Sequence, residues 1–298
     1  MKICVRRVSF LQSLAPAFFW LICLVFAACS GDIRETSLPS WEEAPFILLS
    51  SSSSPGEADT VSEQEEETEP GKFVEEILGY SVEKRPIKLL RFNPGDSAPF
   101  LVFCTIHGDE IEAVNLCQKL EQRWRQNPST LGGRHLLFIP CMNPDGAAAK
   151  TRGNAHEVDL NRNFPYRWKP GEKGQKTYPG PRPLSEPESR LLYELVEKEK
   201  PCAIISVHSC RSCGGMNNYD GPATSYAEQM SKYNGYRASN QWRAPTPGSF
   251  GTYAGKTRGI PTITLEMPRG IKESDYPKNI KAVEAAIKLE RRQSSIGK

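Results

Sequence analysis

No internal repeat runs through the sequence, which sets aside solenoids and propellers, and no stripe of interleaved aromatic and basic residues marks a nucleic-acid surface. Histidine is scarce, with four in 298 residues, and none stands in a His-x-x-x-His pair. Cys210 and Cys213 form a Cys-x-x-Cys without a second such pair, so a structural zinc knot built from two of them is excluded. The longest apolar run, residues 14–26, falls short of the ~20 residues that a membrane-spanning helix needs.

That short run instead has the order of an export signal. Lys2, Arg6 and Arg7 precede it and the small Ala27 and Ala28 follow it, so residues 1–28 are expected to be a signal peptide. Phe26-Ala27-Ala28-Cys29 resembles a bacterial lipoprotein box, with Phe where Leu is common, and implies a lipidated Cys29 that tethers the protein to a membrane. A plain small-residue cleavage site and an uncleaved anchor are the alternatives. The expected workplace is the periplasmic side of the cell envelope, with the cytoplasm as the alternative.

Residues 29–71 hold the serines 50–54 and then Glu57, Asp59, Glu63, Glu65, Glu66, Glu67 and Glu69 with no basic residue among these acids. Such a stretch buries too little apolar surface to fold and reads as a disordered tether. Four of the 38 basic and 11 of the 35 acidic residues lie before position 71, which leaves 34 against 24 and a net charge of +10 for the remainder. A basic domain steers anionic partners, although charge spread for solubility gives the same total. Six of the nine cysteines lie beyond Cys29. An exported protein permits disulfides among them, yet three sit in apolar strand-like runs where a buried thiol packs as a small hydrophobe. A local structural role is expected for Cys210 and Cys213, with a disulfide among the options.

From residue 100 to 267 apolar runs alternate with amphipathic stretches, the pattern of an α/β domain on a largely parallel sheet. Residues 100–106, 136–141, 203–207 and 262–265 read as buried strands, and 110–126, 185–200, 223–233 and 274–292 as helices. His107, Asn143, His208 and Glu266 then fall within two residues of strand ends, on the rim where open α/β sheets bind ligands. His107 and Glu110, three apart after a strand, offer a nitrogen and an oxygen to a metal, and His208 completes a set of two histidines and one carboxylate that leaves a fourth zinc position open. Neither His135 nor His156 needs a special role. Glu266 at the tip of an apolar strand suits a general base. In Asp159-Leu160-Asn161-Arg162-Asn163-Phe164, the Asn161 amide and Arg162 guanidinium suit a carboxylate, and Asp159 could orient a ligand histidine. Arg152 is a further cation able to face an oxyanion.

Taken together, His107-x-x-Glu110, Asn143-Pro144-Asp145-Gly146, the Asp159–Phe164 segment, His208-Ser209 and Leu265-Glu266 resemble the zinc carboxypeptidase family, in the family order and over about residues 75–290. The resemblance implies one α/β/α sandwich with a mixed, largely parallel sheet of about eight strands. It implies one zinc ion on His107, Glu110 and His208, Glu266 as base, Arg152 on the oxyanion, and Asn161 and Arg162 on the terminal carboxylate. The catalytic domain is expected over residues 72–292, with a tail at 293–298.

Within the family, residues 216–223 and 245–255 resemble the branch that cuts cell-wall (murein) peptides between γ-D-glutamate and meso-diaminopimelate. That implies a murein peptide substrate, with Gly251 and Thr252 in its pocket and the small Gly248, Gly251 and Gly255 leaving room for a long zwitterionic side chain. No counterpart of the digestive enzymes' mobile tyrosine is found near Arg243-Ala244-Pro245. A general carboxypeptidase or an N-acyl amino-acid deacylase is the neighbouring alternative, and a non-catalytic wall-binding lipoprotein is the alternative from another class. No nucleic-acid partner is expected, and nothing in the sequence sets an oligomeric state.

Overall fold

The computed structural model describes residues 73–241 and 246–289. The signal peptide, Cys29, the tether, Arg243-Ala244-Pro245, the last residues of the expected domain and the tail at 293–298 lie outside the described residues. Among the described residues, no helix is long and apolar enough to cross a membrane.

Eight strands form one sheet in the order β1-β2-β4-β3-β5-β8-β6-β7. Its centre is parallel: β4 (Leu136–Ile139), β3 (Phe100–Cys104), β5 (Ala203–Cys210) and β8 (Thr262–Pro268). At one side β2 (Pro86–Phe92) runs antiparallel to β4 and to the edge strand β1 (Phe73–Tyr80). At the other, β6 (Met216–Asp220) runs antiparallel to β8 and carries the three-residue β7 (Arg237–Ser239). The mixed sheet of eight strands matches the fold that the family resemblance implies.

Strands β3 and β4 are apolar at every position and β5 opens on an apolar run, because both faces of the sheet are covered, and strict alternation divides these side chains between two cores. Phe100, Val102 and Cys104 of β3 pack on one face against α1 (Ile111–Gln126), α4 (Thr224–Asn234) and α6 (Tyr276–Ile287). Leu101 and Phe103 pack on the other face against α3 (Pro187–Glu199), the short α5 (Phe250–Thr252) and Tyr253 after it. Helix α1 buries Ala113, Leu116, Cys117, Leu120 and Trp124, one stripe at helical spacing, and Trp124 Nε1 donates to Glu284 Oε1 of α6 at 3.2 Å.

Two expectations need correction here. Cys104 is not a free core thiol: it forms a disulfide with Cys117, their Cα atoms 6.2 Å apart, because β3 and α1 are adjacent layers and both side chains face the same core. Cys210 and Cys213 are also paired, so neither offers a thiolate to a metal, and Cys141 and Cys202 are free. The helix expected from residue 274 begins at Tyr276, after a 3-10 turn over Glu273–Asp275 in which the Asp275 carboxylate accepts from Lys272 N.

Candidate active site

Strands β5 and β8 do not stop where the sequence suggested. They continue side by side to Cys210 and Pro268, so His208 and Glu266 are directly paired rungs within the sheet. On its other side β8 pairs antiparallel with β6, which sets Met216 opposite Glu266 and gives β8 a partner on each side from Thr262 to Glu266. His107 lies three residues past β3, in a loop that leads straight into α1 and presents Glu110 as the residue before that helix.

These elements gather His107, Glu110 and His208 with donor atoms within 4.8 Å of one another, all on buried residues. The two Glu110 oxygens face the two imidazoles, Oε1 at 2.8 Å from His107 Nδ1 and Oε2 at 3.1 Å from His208 Nδ1. Four-coordinate zinc needs ligand atoms roughly 3.3–3.6 Å apart, so a small expansion of this triangle admits the ion. The outward Nε2 of His107 meets Asp159 Oδ1 at 3.0 Å, the carboxylate contact that fixes the tautomer of a metal-ligating histidine. Donor chemistry, spacing and orientation therefore fit zinc.

The surroundings hold this triangle rigidly. Ser209 N donates to Glu110 Oε2 at 2.9 Å, and Ser209 Oγ donates to Glu112 Oε2. Asp159 also accepts from Arg152 Nε at 2.9 Å and from Asn161 N at 3.0 Å. The electrostatics follow from burial set against charge. Burial presses His107 toward neutrality, yet the charges of Glu110 and Asp159 outweigh it and raise its pKa to about 9. Burial resists ionisation of Glu110 and Asp159, but the two histidines beside the first, and His107 and Arg152 beside the second, hold both carboxyls well below their ordinary range. Glu266 is the exception. Burial, with Glu110 nearby, pushes its carboxyl above the usual carboxylate range despite the neighbouring His208.

Arg152 reaches the open side of the triangle, with Nη1 at 3.4 Å from His107 Nδ1 and 3.5 Å from Glu110 Oε1. Asn161 and Arg162 follow on a short 3-10 turn whose first N–H groups point at Asp159. The Asn161 side-chain oxygen is tied to Phe250 N at 2.9 Å, which turns its amide nitrogen toward the cleft, and Arg162 is half-buried, with Nη1 donating to the Asn161 carbonyl. Asn143 is not a reactive group on the rim. Its side chain accepts from Gly146 N and donates to Ile106 O, bracing the His107 loop against α2 (Pro144–Ala149).

A cavity of about 370 Å³ opens beside the triangle, with Glu266 and Asn161 in its wall and Asn218, Asp220, Gly251 and Lys256 further in. Both Glu266 and Asn161 also line the smaller cleft of about 230 Å³ over the ligand set. Thr252 is in the cavity wall, its hydroxyl bonded to Ser249 at 2.8 Å. Of the three glycines expected to leave room, Gly251 alone does so: a methyl there would stand 3.4 Å from Asp220 Oδ2. A Cβ on Gly248, whose φ is 70°, would lie 2.0 Å from Arg162 O, and one on Gly255 would lie 2.3 Å from Asp220 Cβ. Those two are required by close backbone approach rather than by a pocket. Asp220 and Lys256 escaped the residue reading because an acid and a base 36 positions apart carry no local signal.

With this geometry in view, comparison with known proteins is decisive. The zinc carboxypeptidase family profile matches residues 63–277. The chain belongs to the zinc carboxypeptidase family. It is accordingly a hydrolytic enzyme of a zinc-dependent family. Murein peptide amidase A of Escherichia coli K12 is 30% identical over 180 residues, covering 56% of this chain and 70% of the relative. The protein of the same name from Vibrio campbellii is 31% identical over 181 residues, covering 56% and 68%. Among solved structures, murein-tripeptide amidase from Escherichia coli O157 superposes with a TM-score of 0.56 at 24% identity, over 72% of this chain and 92% of that one. Thrombin-activatable fibrinolysis inhibitor gives 0.62 at 19%, over 73% and 68%. At such identities the superpositions establish the fold.

Proposed function

We propose that the protein is a zinc-dependent amidase of murein peptides that cleaves the γ-D-glutamyl-meso-diaminopimelate bond and releases diaminopimelate. The observation that carries this reading is the shared wall of Glu266 and Asn161: a group held in the cavity has its amide bond over the ligand triangle and within reach of both residues. The amidase relatives support the choice of peptide.

His107, Glu110 and His208 would hold one zinc ion. When bound, zinc would polarise the scissile carbonyl as a Lewis acid and would lower the pKa of attacking water from 15.7 toward roughly 7. Glu266 takes a proton from that water and passes it to the leaving nitrogen. Its raised pKa suits both halves of the transfer, because a base poised nearer neutrality also serves as the acid. Arg152, fixed by Asp159 through Nε, holds its guanidinium beside the ligand set, where it can turn to the carbonyl oxygen as that atom gains charge. Asn161 and Arg162 grip the free carboxylate of the leaving residue, and Gly251 and Thr252 form the wall along its side chain.

Product analysis on L-Ala-γ-D-Glu-meso-diaminopimelate tests this, with chelated protein as control. Release of free diaminopimelate is expected. Faster cutting of α-linked peptides or N-acyl amino acids would replace the reading with a general carboxypeptidase or a deacylase, and zinc-loaded protein without turnover would leave a wall-binding protein. A tetrapeptide cut as fast as the tripeptide would remove the carboxylate clamp. The workplace follows from the leader: we place the protein on the periplasmic side of the envelope, anchored through lipidated Cys29. Cys29→Ser should release it from the membrane fraction, and unchanged membrane association would refute the lipid anchor.

A further inference from the structure

The deep end of the cavity holds charges that the reaction itself does not use. Asp220, at the end of β6, faces Lys256 with Oδ1 and Nζ 3.6 Å apart, well beyond the ~2.7–2.9 Å of a tight charge-assisted hydrogen bond. The Asp220 side chain is 13% exposed and that of Lys256 55%, so the acid is fixed in the wall while the base hangs over it on a flexible stem. No described residue donates to Asp220 Oδ2, which points across the bare Cα of Gly251. Two residues earlier, on the same face of the strand, Asn218 lines the same cavity at 9% exposure, and its buried Oδ1 has no partner among the described residues. A buried acceptor without a donor carries its desolvation penalty uncompensated, and a donor from a ligand would remove it.

Two acceptors side by side, one of them anionic, match an ammonium group, which has three donors and no acceptor. A mobile ammonium above them matches a carboxylate. We propose that Asp220 and Asn218 bind the distal ammonium of the meso-diaminopimelate side chain while Lys256 pairs with its distal carboxylate. The two ends of a loose internal ion pair are thus each satisfied by one charge of the ligand. This rests on the amidase reading given above and adds to it the residues that select the leaving group. Burial pushes the Asp220 carboxyl above its ordinary range, consistent with an anion short of solvation before the ligand's cation reaches it. Sites built around hydrogen bonds discriminate strongly against analogues that leave them unmade.

The test uses three γ-linked tripeptides whose last residue is meso-diaminopimelate, lysine or 2-aminopimelate, carrying both distal charges, the ammonium alone, or the carboxylate alone. In the zinc-loaded wild type, kcat/KM should favour diaminopimelate over each analogue by roughly 10- to 100-fold. Asp220→Asn should collapse its preference over 2-aminopimelate, and Lys256→Gln its preference over lysine. This crossed change in ratios is something that a structural role would not produce. Variants that lower all three substrates in parallel, or that leave both ratios intact, would overturn the assignment. If the wild type cuts none of the three, the amidase reading falls. The pocket is then decided by calorimetry with the three free amino acids: preference for diaminopimelate that each variant loses in its own direction supports it, and equal binding of all three refutes it.

Discussion

The two ends of the cleft are built on opposite plans. At the ligand triangle, His107, Glu110 and His208 are at most 4% exposed, and both His107 nitrogens, both Glu110 oxygens and His208 Nδ1 are already held by neighbours. At the far end of the cavity, Asp220 and Lys256 stand 3.6 Å apart and Asn218 Oδ1 has no partner among the described residues. The first end is preorganised, so catalytic charge meets fixed partners without reorganisation. The second is left unsatisfied, so that a ligand supplies what is missing. Substitutions should therefore fail in different ways at the two ends.

The largest effect is expected at the base. Glu266→Gln should lower kcat on the order of 10³-fold with bound zinc unchanged by elemental analysis, because proton transfer is lost and the ligands are not. Loss of zinc along with activity would show that the two functions are not separable.

Next comes the disulfide that ties β3 to α1 on either side of the His107–Glu110 loop. Its 13-residue separation predicts that the double variant Cys104→Ser/Cys117→Ser loses about 3 kcal/mol in urea unfolding. A fall in zinc affinity greater than the fall in stability would mean that the loop relies on this clamp for its shape.

Asp159→Asn should weaken zinc binding by roughly 10- to 100-fold in chelator competition, since His107 loses the carboxylate that orients it. The same variant has a pH signature. The Asp159 pKa is depressed in the folded protein, so its contribution is complete above the unfolded value of about 3.9 and is lost as pH falls through and below that value. Metal-free wild type should exceed the variant in stability at pH 7, and the gap should narrow progressively below about pH 4. A constant gap would show that packing rather than charge carries the effect.

The smallest change in stability, under roughly 0.5 kcal/mol, is expected for Gly251→Ala. A methyl there meets Thr264 Oγ1 at 3.2 Å, a contact that a shift of a few tenths of an ångström relieves. KM should nevertheless rise several-fold, because the methyl narrows the passage beside Asp220. A loss of stability comparable to that of the disulfide variant would contradict the contrast between the two ends.

Much of the metal end was legible in the sequence, because each ligand lies next to an apolar run long enough to be read as a strand. The four central strands and four of the helices were found for the same reason. Strands β1, β2, β6 and β7 were not. Phe73–Tyr80 is an edge with Val74, Ile77 and Tyr80 exposed, and Met216–Asp220 reads as polar because Asn217 and Asn218 face buried hydrogen-bond partners and a cavity rather than a core. The Cys104–Cys117 bond depends on two layers meeting, which spacing along the chain does not encode. Nor does spacing tell a glycine that opens space, such as Gly251, from one wedged against backbone, such as Gly248.

His208 and Glu266 occupy adjacent rungs of one ladder, and Met216 of β6 is the next rung beyond. A slip by one residue would turn the ligand and the base to the opposite face, so selection against misregistered sheets and selection for catalysis act on the same hydrogen bonds. Asn218 and Asp220 hang from the same ladder, opposite Thr264 and Thr262, so the wall of the cavity shares that constraint. One register therefore fixes both the reacting groups and the floor on which the leaving residue would rest.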